Sequence, residues 1–512
     1  MPFDLRVEPA IPVFASAKAG SGPETVEWVG LRELLLNAHL YTDLAITSPP
    51  AAAGMLRVLF TIAARITGLD KATNRPEFEE RRLDVAETGQ FSVDAIDGYL
   101  YGEDLDGRWD LFDPVWPWLQ DPRLAEQAER KSVNVLDPAR PADNTPIWWQ
   151  HTSNTHAPDI AAQYALQCLL AHHWYGSGGT GGTRTVGAVS DHHMSAGPLR
   201  GTVSFYPLGR SLFETLVAGI PSPGTAHGAG DDLAPWEVRD RHDPLAQPPE
   251  ATWPGGLLTG QSRHAVLMVP TNDEASVRGC YLTWSYKNRH LPIADPYTIQ
   301  DRTNDAWRAR PARAARAVWR DLDALLADRD GQRRPAVLAA TSTLPIDWQS
   351  ALRVRVHGWD QDRQSTDRLV FTATTPELLR WSYENDPDAA DGAAELHVAA
   401  EDVHDVLCTA LRRAYKNLGT GSSSARKTDD IPWIAPAQTC YWPEAEALFW
   451  KLLEQRRFER TYRAFLGPAL QAVDAATGHL GHHPSVARET AGVVTYLRRY
   501  VAKKNPPAKE DQ

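Results

Sequence analysis

Near residue 375 the chain changes its hydrophobic period, and this change divides it into two parts with different packing requirements. Beyond it, apolar residues recur at helical spacing in four runs: 376–384 extended through 395–418, then 443–457, 461–477 and 484–503. Thr375-Pro376-Glu377 reads as a helix start, because proline at the first helical position gives up an N–H that has no partner there anyway. Segments rich in Gly, Ser, Asn or Pro separate the runs, GTGSSSARKTDD being the clearest. A helix with one apolar stripe must bury it, and four such helices joined by loops bury one another's as a bundle. The closing PPAKEDQ reads as a disordered tail.

Before residue 375 strand-like and helix-like segments are mixed. Residues 26–40 read as a short strand leading into a helix, and Met55–Ile66 and 158–174 as helices. GTVSFYPLG reads as a strand, followed by a helix that Ser211 caps. HAVLMVP and GCYLTWSY form two strands around a polar turn, and residues 353–371 a hairpin with a long polar tip. RWDLFDPVWPWLQDPRL is aromatic and cut by prolines, which suits a packed irregular segment. The expected class is therefore α+β: a large mixed N-terminal domain over 1–375, then a C-terminal four-helix bundle over 376–512.

With 42% apolar and 23% charged residues the chain has ordinary globular composition. No apolar run approaches the ~20 residues of a membrane span, and MPFDLRVEPAIPVF lacks the form of a signal peptide. Cys168, Cys280, Cys408 and Cys440 are scattered without a C-x-x-C pair, so neither a disulfide framework nor a cysteine zinc site is indicated, and a reducing cytoplasm fits. His172-His173, His192-His193 and His482-His483 are adjacent pairs whose members point in different directions, a poor arrangement for one metal ion. Hydrolase, zincin and calcium-loop signatures are missing, which argues against an enzyme.

The formal net charge of -12 has the wrong sign for a general nucleic-acid binder. Locally, WRARPARAARAVWR carries five arginines and no acid. Arg313, Arg316 and Arg320 fall at helical spacing, either as one basic face or as a solvated face paired with the acids of 321–330. The most unusual stretch is GSGGTGGTRT, residues 176–185, after the helix-like LLAHHWY. Glycine loses more backbone entropy on folding than any other residue, so a cluster of glycines marks a sharp turn or a close approach, unless it is a mobile linker. It is not a phosphate-binding P-loop, since Thr183-Arg184 follows Gly182 where Lys-Ser/Thr is needed.

An ordered set of segments resembles the CasA family, the large subunit of the type I-E CRISPR Cascade complex. They run from PVFASAKAGSGPETVEWVGLRELLLNAH through DLFDPVWPWLQDPRL, the glycine stretch with GPLRGTVSFYPLGRSLFETL, GGLLTGQSRHAVLMVP, ADPYTIQDR, AVWRDLDALL and RVRVHGWDQDRQS to GHHPSVARETAGVVTYLRR. This resemblance implies a non-catalytic reader without metal or cofactor. Such a subunit inspects double-stranded DNA for a short protospacer-adjacent motif, while guide-RNA pairing reads the long sequence. The family acts from the minor-groove side with a glycine-rich loop, a lysine finger and a glutamine wedge. The implied positions are Gly178, Gly179, Gly181 and Gly182 for the loop, Lys287 for the finger, and Gln364 or its neighbour Gln361 for the wedge. Between GPLRG and the glycines lies an insertion, TRTVGAVSDHHMSA, longer than the family pattern. Trp148 and Trp149 occupy the family's flexible loop, where they stack on the guide RNA's 5′ end or pack into protein. The implied partners are the guide-RNA-loaded Cascade subunits, the target duplex and a recruited helicase-nuclease, with no membrane. Arg313, Arg316 and Arg320 would supply local basic surface. Two other readings stay open on the residues alone: a hydrolase using the glycines as a phosphate cradle, and a helical scaffold that does not bind DNA.

Overall fold

A buried helix, Pro49–Thr67, organises the first of two compact units, packing on the helices Ala162–Tyr175 and Leu212–Ala218. The computed structural model describes residues 2–15, 25–142, 151–153, 155–223, 231–362, 366–419 and 431–505. The first unit comprises Met1–Arg316 with Asp328–Arg380, the second Ala317–Ala327 with Trp381–Gln512. Contrary to the sequence expectation, Pro49–Thr67 is long and apolar enough by composition to cross a membrane. With 83% of that window buried inside the unit, its apolar surface is satisfied by protein. Its Arg57 is buried too. The guanidinium donates to Asp295 at 2.7 and 3.0 Å and to the Tyr206 hydroxyl at 2.9 Å. Burial works against that charge, but Asp295 and the surrounding tyrosines outweigh it and raise the pKa.

Among the described residues the first unit has five small antiparallel sheets. Ile11–Ala15 lies between Thr25–Val29 and Tyr41–Leu44. Gln300–Thr303 lies between Ala306–Ala309 and Gln332–Arg333. His264–Pro270 pairs with Ser276–Trp284, whose other edge takes Ile160–Ala161. Arg353–Asp362 is the centre of a fourth triplet, with Val203–Leu208 on one side and Thr366–Thr374 on the other. The fifth sheet is a two-stranded hairpin, Gly179–Val186 with Val189–Met194. Ser211 caps its helix as expected, its side chain accepting from the Glu214 N–H.

The second unit contains four long helices, Pro387–Asn417, Ile434–Glu454, Thr461–Thr477 and Pro484–Lys504, and the first packs on each of the others. Two helix starts differ from the sequence expectation. Residues 376–384 give only a 3₁₀ turn at Leu379–Trp381, and the helix begins after Asp386, whose carboxylate accepts from the Ala389 N–H. The second helix starts at Ile434, so Pro443 lies inside it. Proline removes one backbone bond, but the buried stripe Ile434, Ala437, Tyr441, Ala445 runs straight through it. Ala317–Ala327, upstream of the period change at 375, belongs with this unit because Trp319 is buried there, its ring 4.8 Å from Phe449 and 6.0 Å from Trp442.

Candidate nucleic-acid interface

The glycine stretch, expected as a loop, is a bulged strand. Gly179 pairs with Met194 and Thr180 with His193. The register then shifts before Arg184 pairs with Asp191, and the hairpin turns at Gly187, φ +56°. The long insertion is thus this hairpin's turn and return strand. Most of the glycines answer to their own protein. A Cβ on Gly176 would lie 2.0 Å from the His264 ring, one on Gly178 2.9 Å from the Ala196 N, one on Gly181 2.7 Å from the Met194 sulfur, and one on Gly182 3.2 Å from the Leu282 carbonyl. Gly179 is different. It is exposed, has φ +130°, and a Cβ there would meet nothing within 4 Å. Its backbone is presented outward, in a conformation that favours glycine.

Arg184 fixes this hairpin to the unit. The side chain is fully buried and donates to Gln127 at 2.6 and 3.0 Å, to Asp121 at 2.9 Å and to the Trp284 carbonyl at 3.0 Å. Burial lowers the pKa of Arg184, with Asp121 opposing. Asp121 is only partly buried, its side chain 14% exposed, and against that desolvation Arg123 and Arg184 hold its carboxylate below the usual range. The Thr283 hydroxyl donates to the Gly182 carbonyl at 2.6 Å, and His264 Nε2 sits 2.9 Å from the Ser195 carbonyl at the hairpin's far foot.

Lys287 comes to the same hairpin. Its ammonium pairs with Asp191 on the return strand while the side chain stays 41% exposed. Lys287, with the backbone N–H groups of His193 and His192, holds the Asp191 carboxylate well below its ordinary value.

Gln361 lies near the end of Arg353–Asp362, and its amide is already engaged, donating to Asp367 on the opposite strand at 2.7 Å. The same carboxylate accepts from the Trp359 indole at 2.8 Å and from Arg200 at 2.6 Å. Arg200 in turn donates to the Tyr175 carbonyl at 2.5 Å and lies 4.2 Å over the Trp359 ring, on which Tyr175 also stacks. Tyr175 immediately precedes Gly176. One network therefore joins the foot of the glycine hairpin to the glutamine hairpin. Gln364, Trp148 and Trp149 lie outside the described residues.

The expected basic helix face is not formed. Residues 313–317 are irregular, a 3₁₀ turn covers Val318–Asp321, and Arg313 and Arg316 belong to the first unit whereas Arg320 belongs to the second. Arg320 is bound to Glu401 at 2.7 and 2.9 Å and stacks 3.6 Å over Trp442. The helical spacing of the three arginines suggested one basic face, but the buried Trp319 fixes the local backbone instead. His172 and His173 are buried, each with Nε2 at a carbonyl, Leu136 at 2.9 Å and Leu119 at 2.7 Å. Among the described residues no group of three or more His, Cys, Asp or Glu is placed to hold a metal ion.

The family model for CRISPR-associated protein Cse1 matches residues 4–478. The chain belongs to the Cse1 family. This Cse1 chain is similar to a chain of a solved CRISPR RNA-guided surveillance complex, with 34% identity, 97% of this chain and 99% of that one covered, and a TM-score of 0.86. A chain of a CRISPR RNA-guided surveillance complex in a pre-nicking state is 35% identical, covers 99% and 100%, and has a TM-score of 0.77. Thermus thermophilus CasA (Cse1), 21% identical with 98% and 99% covered and a TM-score of 0.73, shares the fold. Comparison with curated proteins finds no match. Sequence reasoning about this Cse1 chain missed Arg184, Asp191, Arg200 and Asp367. The first stood next to the glycines, but nothing in its neighbours distinguished a buried anchor from a surface arginine.

Proposed function

We propose that this Cse1 chain is the non-catalytic large subunit of an RNA-guided DNA-surveillance complex that reads a protospacer-adjacent motif from the minor groove. The observation that carries the reading is the convergence of the three expected elements. Lys287 is bonded to the glycine hairpin, and the glutamine hairpin is tied to that hairpin's foot through Arg200 and Asp367. The likeness to chains of solved surveillance complexes supports it. A minor groove is only ~6 Å wide, so what enters must be slim. Gly179 offers bare backbone at its strand end, and Lys287 would exchange Asp191 for groove acceptors. With Gln361 held by Asp367, the wedge that enters a base step is assigned to Gln364; that distortion costs a few kcal/mol and needs a rigid mount. The subunit works in the cytoplasm, with Trp148 and Trp149 toward the guide RNA's 5′ end. The helical unit supports the opened strands, and the subunit recruits the helicase-nuclease. An acidic net charge is compatible, because other subunits hold most of the RNA.

The test is duplex binding by the guide-loaded complex, using targets that differ only in the flanking base pairs. Gly179→Leu and Gln364→Ala are expected to abolish flank discrimination and strand opening respectively, with assembly intact. Unchanged discrimination and opening in both variants would overturn the reading.

A further inference from the structure

Lys287, a cation assigned to DNA, is already neutralised in the free chain, because its ammonium is paired with Asp191. Asp191 stands on the return strand of the glycine hairpin, within the long insertion, opposite the buried Arg184. Its two oxygens have separate tasks. Oδ1 accepts from the backbone N–H groups of His192 at 2.7 Å and His193 at 3.2 Å, which fixes the direction of the carboxylate. Oδ2 takes the Lys287 ammonium.

The hairpin does not depend on this pair. Arg184 anchors one strand through Gln127, Asp121 and the Trp284 carbonyl, and the Trp284 indole donates to the Asp191 carbonyl at 2.9 Å on the other. Lys287 is placed independently, its backbone N–H donating to the Pro244 carbonyl at 2.9 Å. Opening the pair therefore moves a side chain and leaves both backbones where they are. The Lys287 side chain is 41% exposed and that of Asp191 17%, and ion pairs open to water contribute little to stability. An oriented carboxylate that neither anchors the strand nor adds much stability has its main effect on the lysine.

We propose that Asp191 is a positioning residue that regulates Lys287, a built-in competitor that holds the ammonium until an acceptor in the DNA groove replaces it. The inference rests on the reading of Lys287 as the group that enters the minor groove. Adenine N3 and thymine O2 are acceptors that can take the ammonium, whereas the guanine amino group is a donor and leaves it on Asp191. On such DNA the pair stays closed and the duplex is held weakly. A lysine without Asp191 would instead reach phosphates on every sequence, adding a contact that releases counterions.

The test is binding of the guide-loaded complex to short duplexes that carry a matching or an altered flank and no sequence complementary to the guide. Asp191→Asn keeps Oδ1 for the two N–H groups and removes the charge that holds Lys287. It is expected to bind both duplexes roughly two- to fivefold more tightly. On the altered flank its log K should fall more steeply with log salt, by about 0.9. Asp191→Asn with Lys287→Ala should bind the altered flank as the wild type does, with the wild-type salt slope, yet bind the matching flank at least about threefold more weakly. Unchanged or weaker binding by Asp191→Asn overturns the inference. So does a double variant equal to the wild type on both duplexes, which would make the pair a permanent bridge. Gly179→Leu in the same assay separates the two levels. If it abolishes flank discrimination while Asp191→Asn has no effect, only the role of Asp191 falls; if neither alters binding, the interface reading falls too. Thermal unfolding establishes that each variant is folded, and Asp191→Ser, which also removes the charge, decides should Asp191→Asn not assemble.

Discussion

Removing the Asp367 carboxylate should uncouple the two hairpins of the interface. It accepts from Arg200, Trp359 and Gln361. The Arg200 side chain is 7% exposed and the Asp367 side chain 47%, so solvent screens the acid but not the guanidinium it serves. A hydrogen bond to a charged group contributes ~1.5–3 kcal/mol, and the half-exposed carboxylate places this one at the lower end. The Trp359 indole adds ~1 kcal/mol, and the exposed Gln361 amide adds little because water replaces its acceptor. Asp367→Ala should therefore cost about 2–2.5 kcal/mol, and Asp367→Asn, which keeps an acceptor oxygen, about 1 kcal/mol. In a double-mutant cycle with Arg200→Met, a coupling of about 1 kcal/mol is expected from urea midpoints at constant slope. If the proposed function holds, the same variant in the guide-loaded complex should lose strand opening more than duplex affinity, because the hairpin proposed to carry the wedge is loosened while Gly179 and Lys287 remain. Costs below about 0.3 kcal/mol with zero coupling would refute the network.

Two further outcomes follow from the same geometry. Gly176→Ala drives a Cβ into the His264 ring and the His172 carbonyl, so thermal unfolding should show a loss of ~2 kcal/mol or more, whereas Gly179→Ala, in open space at positive φ, should cost only ~1 kcal/mol and act mainly on DNA binding. Acid should destabilise the first unit through histidines buried neutral. His173, His264 and His357 are lowered by burial from 6.5 to about 4, 3 and 3. Between those values and 6.5 the unfolded chain binds more protons, so stability is full above pH 6.5 and falls as pH drops toward 4. The slope is ~1.4 kcal/mol per pH unit for each histidine, read from urea midpoints at pH 7, 6 and 5.

How much of this was legible in the sequence depends on whether a feature is periodic or is set by contacts remote in the chain. The four late helices, the strand pair around the polar turn and the 353–371 hairpin announce themselves because period and turn chemistry are local. The start at Ile434 was hidden because Pro443 looks like a beginning, and only the buried face shared with the other helices shows that the helix continues through it. The arginine run failed for the opposite reason: helical spacing was present, but Trp319 is claimed by Phe449 and Trp442 more than a hundred residues on. The glycine stretch shows the limit most clearly. Its composition signals close approach without saying to what. Gly176, Gly178 and Gly182 turn out to approach His264, Ala196 and Leu282, all parts of the same protein, while Gly179 alone faces open space. An internal packing constraint and an external binding surface write the same residue into the sequence. They separate only when each missing side chain is placed in three dimensions, and that placement is what moves the functional expectation from a run of glycines onto one.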